Sequence, residues 1–316
     1  MRRVAALLAA VLAALATAAC GDGAEPSAPG GATLVLDFQP NAVHAGLYAA
    51  QARGYFADQG LDLEIQEPSS TADGAKLLEA GRADFAILDI NDLGIARERG
   101  IGIEAVAAIV QRPLASVIAA DRDDVGTPAD LTGRTVGVTG VPSDDAVLDT
   151  VLAEGGVPPT RVDRQTIGFK SVPLLAAGKI DAATAFWNAE GVELARRGIP
   201  IRQFRVDEFG APRYPELIVA AAQDAPEDRV CALSAALAGG YEDLATDPDG
   251  ALADLLAEVG GLDEASQRAQ LEALNRGHAF EPGPGLDPES VAGWERWAAE
   301  RGLIAGPVGG VAPLDC

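Results

Sequence analysis

Leu36-Asp37-Phe38-Gln39-Pro40-Asn41-Ala42-Val43-His44 joins an apolar, strand-like run at residues 33–38 to a stretch with helical spacing at 44–56. Four more segments have the same character: Asp89-Ile90-Asn91-Asp92, Val141-Pro142-Ser143-Asp144-Asp145, Ala185-Phe186-Trp187-Asn188-Ala189-Glu190 and Tyr214-Pro215-Glu216. Four of the five follow a strand-like run and most open a helix. In an α/β protein the ligand crevice forms at such strand ends. The side chains offered are carboxylates, amides, one histidine and aromatics, a set suited to a small, flat, nitrogen-rich molecule.

Around these segments, strand-like and helix-like stretches alternate almost throughout, the signature of a parallel α/β sheet. One set runs to Arg112-Pro113 and a second begins there. A late strand at 217–222 is followed by helical patterns only, at 226–246, 248–259, 263–275 and 288–301. A lone strand cannot form a sheet, so it is expected to return to the first set. This predicts two α/β lobes, 33–112 plus 216–316 and 113–215, joined by a hinge that the chain crosses twice.

The N-terminus reads as a leader. Arg2 and Arg3 precede an apolar run from Val4 to Ala16, then Thr17-Ala18-Ala19-Cys20. That run is shorter than the ~20 residues needed to span a bilayer, and its layout fits a cleaved export signal at 1–19. Cys20 then stands where a bacterial lipoprotein carries its lipid, although Thr17 replaces the usual Leu. Residues 20–32, rich in Gly, Pro, Ala and Ser, read as a flexible tether. The expected location is extracytoplasmic, lipid-anchored at the cell membrane.

The net charge is −23, and Lys76, Lys170 and Lys179 are the only lysines. Without a basic stripe, nucleic acid is a poor partner. Cys231 and Cys316 remain after Cys20. In an exported protein they either pair as a disulfide or stay as independent thiols. Neither the cysteines nor His44 and His278 have metal-site spacing, so no metal is expected. His278 has no interpretable partner in the sequence.

The segment 36–48 (Leu-Asp-Phe-Gln-Pro-Asn-Ala-Val-His-Ala-Gly-Leu-Tyr), with Gly54-Tyr55-Phe56 and Gly60-Leu61-Asp62, resembles the opening of the thiamine-pyrimidine-precursor (formylaminopyrimidine) binding proteins. Trp187-Asn188-Ala189-Glu190-Gly191 and Tyr214-Pro215-Glu216 match the same group, so the resemblance covers most of residues 33–220. It implies the type II periplasmic-binding-protein fold. It also implies a monomeric binding component of an ABC importer, with a permease and its ATPase as partners, no cofactor and no catalytic activity. Riboflavin or another heteroaromatic, and a sulfonate or nitrate, are the alternative ligands. Fungal relatives resembling the same opening synthesise the pyrimidine with a motif lysine that binds pyridoxal phosphate. Here Gln39 precedes Pro40, and an amide cannot form a Schiff base.

The expected ligand set is Asp37, Phe38, Asn41, His44, Asp89, Ser143, Trp187, Asn188, Glu190 and Tyr214. Asp37, at an apolar strand end, must be paired or hydrogen-bonded, either to a ligand amine or as a helix cap. Asn41 is equally a good N-cap. His44, in a first helical turn, is expected neutral and able to meet the ligand. Phe38, where the family commonly has Trp, offers a stacking face. Trp187 is the expected opposing plate from the second lobe, with a core place under the hinge as the alternative; Phe186 is the expected core residue. Glu190 answers the amine edge of an aminopyrimidine by a charge-assisted pair. Ser143 is expected to cap a helix, with Asp144 and Asp145 beside it opposing an anion. Asp89 and Asn91 line the cleft or cap a helix, and Tyr214 presents its hydroxyl at the second crossing.

Overall fold

The computed structural model describes residues 30–68, 73–121, 125–309 and 316. The leader, Cys20 and the tether up to residue 29 lie outside the described residues. Gly31–Cys316 form one unit.

The first sheet is built from β1 (Gly31–Val35), α1 (Ala45–Ala52), α2 (Tyr55–Asp58), β2 (Asp62–Gln66), α3 (Asp73–Glu79), β3 (Phe85–Asp89), α4 (Ile90–Glu98) and β4 (Ile103–Val110). The chain then crosses to the second sheet: β5 (Ala115–Ala120), β6 (Thr135–Val138), α5 (Pro142–Glu154), β7 (Asp163–Thr166), α6 (Ser171–Ala176), β8 (Ala182–Phe186), α7 (Glu190–Arg196) and β9 (Ile201–Arg205). A second crossing leads back to β10 (Leu217–Ala222) and four helices: α8 (Glu227–Thr246), α9 (Pro248–Val259), α10 (Glu264–Arg276) and α11 (Pro288–Glu300). The strand orders, β2-β1-β3-β10-β4 and β7-β6-β8-β5-β9, repeat one topology.

The sheets are mixed rather than parallel. β10 runs antiparallel to β3 and β4, and β5 antiparallel to β8 and β9. Strands reached through a helix run toward the hinge. Those entered directly from a crossing must run away from it, which is why only β5 and β10 are reversed. This geometry turns the ends of β1, β3, β6 and β8 toward a common cleft.

Alternation along the strands supplies a core on each face of the first sheet. Leu34, Phe85, Ile87 and Val219 pack with α1, α8 and α9 on one side. Val35, Ala86, Leu88 and Ile218 pack with α4 and α11 on the other. Residues 44–56 do not form the single helix expected from their spacing, because Gly54, at φ 80°, separates α1 from α2. Cys231, on α8, is disulfide-bonded to Cys316 across 85 residues, with Cα atoms 5.5 Å apart. Closing a loop of that length contributes about 4.5 kcal/mol in the chain-entropy treatment.

α1 follows directly on the first cleft segment and crosses α8 at glycines. A Cβ on Gly240 would lie 2.1 Å from the Gly46 carbonyl oxygen, and one on Gly46 would lie 2.7 Å from the Tyr241 ring. Gly240→Ala must therefore push the helices apart. We expect a loss of about 1–3 kcal/mol, read as a lower urea midpoint at unchanged slope. An unchanged midpoint would contradict the close crossing.

Candidate functional site

Beyond β1 the backbone turns at Asn41, which caps a 3-10 turn (Ala42–His44) by accepting from the Val43 N–H at 3.1 Å. The Asn41 N–H donates to His44 Nδ1 at 3.2 Å, and His44 Nε2 lies 2.8 Å from Asp37 Oδ1. Because Nδ1 accepts, Nε2 carries the proton and donates to Asp37. His44 is fully buried with both nitrogens engaged. It therefore orients Asp37 and does not itself reach a ligand, contrary to the sequence expectation. Asn41 likewise acts as a cap. Two further bonds anchor the turn: Ala42 N–H to Gln267 Oε1 on α10 at 2.8 Å, and the Tyr241 hydroxyl to the Val43 carbonyl at 3.0 Å.

At the end of β3, Asp89 caps α4, its Oδ1 accepting from the Asn91 N–H and side-chain amide at 2.7 and 2.9 Å. Asn91 is buried, its Oδ1 held by the Trp294 indole N–H at 2.9 Å. Burial, together with Glu216 and Asp92, holds the Asp89 carboxyl well above the usual carboxylate range. Asp92, in the next turn, keeps solvent contact, yet the protein packed around it lifts its carboxyl above the usual range, with Arg99 opposing and Asp37 adding. Glu216 is buried at the second crossing, where its Oε2 accepts from the Leu114 N–H of the first crossing at 2.9 Å. Burial lifts it to about 8, against the two backbone N–H groups it accepts and with Asp207 and Asp37 adding.

In the second lobe Val141, not Ser143, is the N-cap of α5, and Pro142 takes the first helical position. Asp144 closes the β6–α5 loop, accepting from the Thr139 N–H and hydroxyl, each at 2.6 Å. Asp145 pairs with Arg164 at 2.7 Å, and Asp149 with the same guanidinium. The expected pair of bare aspartates is thus a loop clasp and an ion pair. Glu190 begins α7, and its Oε2 accepts from the Phe186 N–H at 3.0 Å. Burial raises its carboxyl above the usual range, and Asp144 adds to the shift.

The aromatic expectations are corrected at three positions. Trp187 is 1 % exposed and packs in the hinge, donating from Nε1 to the Pro113 carbonyl at 2.8 Å. The Arg205 guanidinium sits 4.1 Å from its ring centroid. β8 ends at Phe186, so strand alternation no longer governs Trp187; Phe186 itself is only half-buried. Tyr214 is fully buried and stacked on Trp297 at 5.4 Å, so its hydroxyl does not open onto the cleft. Asn188 is 2 % exposed, and its Oδ1 has no partner among the described residues.

Phe38 is 47 % exposed and faces Phe169, which is 74 % exposed, with ring centroids 6.5 Å apart and planes 40° apart. Phe169 follows Gly168 in the loop after β7 and joins a residue of the first lobe to one of the second. It was legible by the strand-end rule that marked the other segments, as were Asp92 and Glu216 within the segments already marked. His278, unassigned from sequence, pairs with Glu281 at 2.8 Å on the surface.

Carboxyls thus gather at the strand ends of both sheets: Asp37, Asp89 and Asp92 on one, Asp144 and Glu190 on the other. The NMT1/THI5-like family matches residues 41–251. The chain belongs to that family. It is 31 % identical over 290 residues to the formylaminopyrimidine-binding protein of Halalkalibacterium halodurans, covering 87 % of this chain and 86 % of that one. It is 27 % identical to the 4-amino-5-hydroxymethyl-2-methylpyrimidine phosphate synthase THI5 of Saccharomyces cerevisiae, over 56 % of this chain and 54 % of the yeast protein. The fold matches the periplasmic aliphatic sulphonate binding protein SsuA of Escherichia coli at TM-score 0.72 and 15 % identity, covering 88 % and 94 % of the two chains. The NMT1/THI5-like chain therefore has the two-lobed periplasmic-binding-protein fold.

The raised carboxyls make this NMT1/THI5-like chain sensitive to pH. Glu216 moves from 4.5 to about 8 and burial also holds Asp89 well above its ordinary value, so the folded state holds these protons more tightly than the unfolded one. Their stabilisation is complete below the unfolded values and is lost as pH rises through the folded ones. The ligand-free protein should therefore melt at a lower temperature at pH 8 than at pH 5. Glu216→Gln should flatten the fall between pH 6 and 8. A melting temperature that rises over this range, or an unaltered slope in the variant, would contradict the assignment.

Proposed function

We propose that this chain is the extracytoplasmic solute-binding component of an ABC importer, held at the membrane through Cys20. It takes an aminopyrimidine precursor of thiamine between its lobes and delivers it unchanged to the permease. The lobes are 33–112 plus 216–316 and 113–215. The observation that carries this reading is the set of carboxyl groups held at the strand ends of both lobes, Asp37 and Asp89 in one and Asp144 and Glu190 in the other. A 4-aminopyrimidine presents an exocyclic N–H beside a ring nitrogen, and a carboxyl group meets that edge with two hydrogen bonds, accepting the amino N–H and sharing its own proton with the ring nitrogen. Glu190, raised by burial and fixed through one oxygen to the Phe186 N–H, is suited to that exchange. Asp37, oriented by His44, offers a second acceptor from the opposite lobe.

The chemistry of turnover finds less support. Gln39 has no amine for a Schiff base, and both His44 nitrogens are engaged. An anionic ligand is disfavoured as well. Arg112 is bonded to Asp207 and Glu208, and Arg164 to Asp145 and Asp149, so these cations are already paired.

Thermal shift with 4-amino-5-hydroxymethyl-2-methylpyrimidine, its formylamino counterpart, thiamine, riboflavin, taurine and nitrate tests the reading. A pyrimidine at 100 times its Kd should add about 2.7 kcal/mol of stability. Glu190→Gln should weaken that binding at least about tenfold, the order of one lost charge-assisted bond. Stabilisation by taurine or nitrate alone would overturn the proposal.

A further inference from the structure

Among the described residues the large hydrophobic side chains left exposed are Phe38, Val141 and Phe169, and all three lie just beyond strand ends facing the cleft. Val141 and Phe169 each follow by three residues a member of the Val138–Thr166 register pair of β6 and β7, so they occupy neighbouring loops on one edge of the second lobe. Phe38 leaves β1 on the opposite lobe. An apolar lip of this kind is costly in water unless something covers it.

The spacing of the two rings indicates what covers it. Carbon atoms in contact lie about 3.5–4.0 Å apart, so a flat ring held between two others needs their centroids about 7 Å apart. Phe38 and Phe169 stand at 6.5 Å, with planes inclined by 40°. Bringing the planes parallel and widening the gap by about half an ångström admits one aromatic ring. Both side chains are exposed enough to rotate without disturbing the core. Trp187 cannot share this role, since it is enclosed and bonded to Pro113.

We infer that Phe169 is the second plate of an aromatic clamp, closing with Phe38 on the face of a planar heteroaromatic ring while carboxyl groups hold the ring's edge. The inference rests on the proposed function for the identity of the ring and adds the residue that selects for flatness. Because the plates come from different lobes, stacking energy is gained only when the lobes approach, which couples ring recognition to closure.

Titration calorimetry and proton NMR of the intact mature chain with 4-amino-5-hydroxymethyl-2-methylpyrimidine, and with riboflavin as a second flat probe, test the clamp. Phe169→Ala and Phe169→Leu should each weaken binding about tenfold or more, the size of one lost ring–base stack. Phe169→Trp should retain it. The melting temperature of the ligand-free protein should stay the same in all three, because the ring is mostly in water. Ligand ring and methyl protons should shift upfield in the wild type and Phe169→Trp, and markedly less in Phe169→Leu. Undiminished affinity and shifts in Phe169→Ala would overturn the clamp while leaving the functional reading intact. Failure of the wild-type chain to bind either flat probe would overturn both.

Discussion

One buried hydrogen bond sets the geometry on which the cleft depends. The Glu216 carboxyl, at the start of β10, accepts the N–H of Leu114 at the start of β5. It thereby ties together the two stretches of chain that cross between the sheets. Its neighbours reinforce the tie: Trp187 donates to Pro113, and Arg112 donates to the Gly277 carbonyl while pairing with Asp207. Removing a buried acceptor here leaves an N–H without a partner. The bond sits where the reversed strands β5 and β10 both depart and toward which the helix-fed strands run.

From that fixed base, the polar groups at the strand ends divide into those that hold and those that are held. His44 and Asn91 are buried, Asn41 is half-buried, and all three spend their hydrogen bonds on neighbouring side chains and backbone. Asp37 is held by His44 and Glu190 by the Phe186 N–H, so each carboxyl is oriented by its own lobe. A histidine that is fully enclosed and serves as a strut is what a binding site needs. An acid–base catalyst needs the opposite, a nitrogen open to substrate. Loss of water around Asp89, Glu190 and Glu216, with neighbouring carboxyls adding, raises their proton affinity.

Sequence patterning carried much of this. Alternating apolar periods placed most elements to within two or three residues, with α9 matching at both ends, because strand and helix periods are imposed by burial on one face. Asn41 and Asp89 were readable as caps, since their side chains act within three residues of their own position. For Trp187 the sequence leaves a cleft plate and a place under the hinge open, and distant partners, Pro113 and Arg205, decide for the second; Tyr214 was not readable, because Trp297, also distant in the chain, encloses it. The aspartates at 144 and 145 misled for the same reason. Arg164, on another strand, neutralises one of them. Phe169 obeys the strand-end rule by its place after β7, but it stands beside Lys170 and Ser171 rather than the carboxylates and amides that mark the other segments.

The most direct measurement is a crystal structure of the chain with 4-amino-5-hydroxymethyl-2-methylpyrimidine. The account predicts closed lobes with the ring between them and its amino edge within hydrogen-bond distance of Glu190, while His44 remains bonded to Asp37. A ring bound away from the strand ends, or held by His44 with Asp37 displaced, would contradict it.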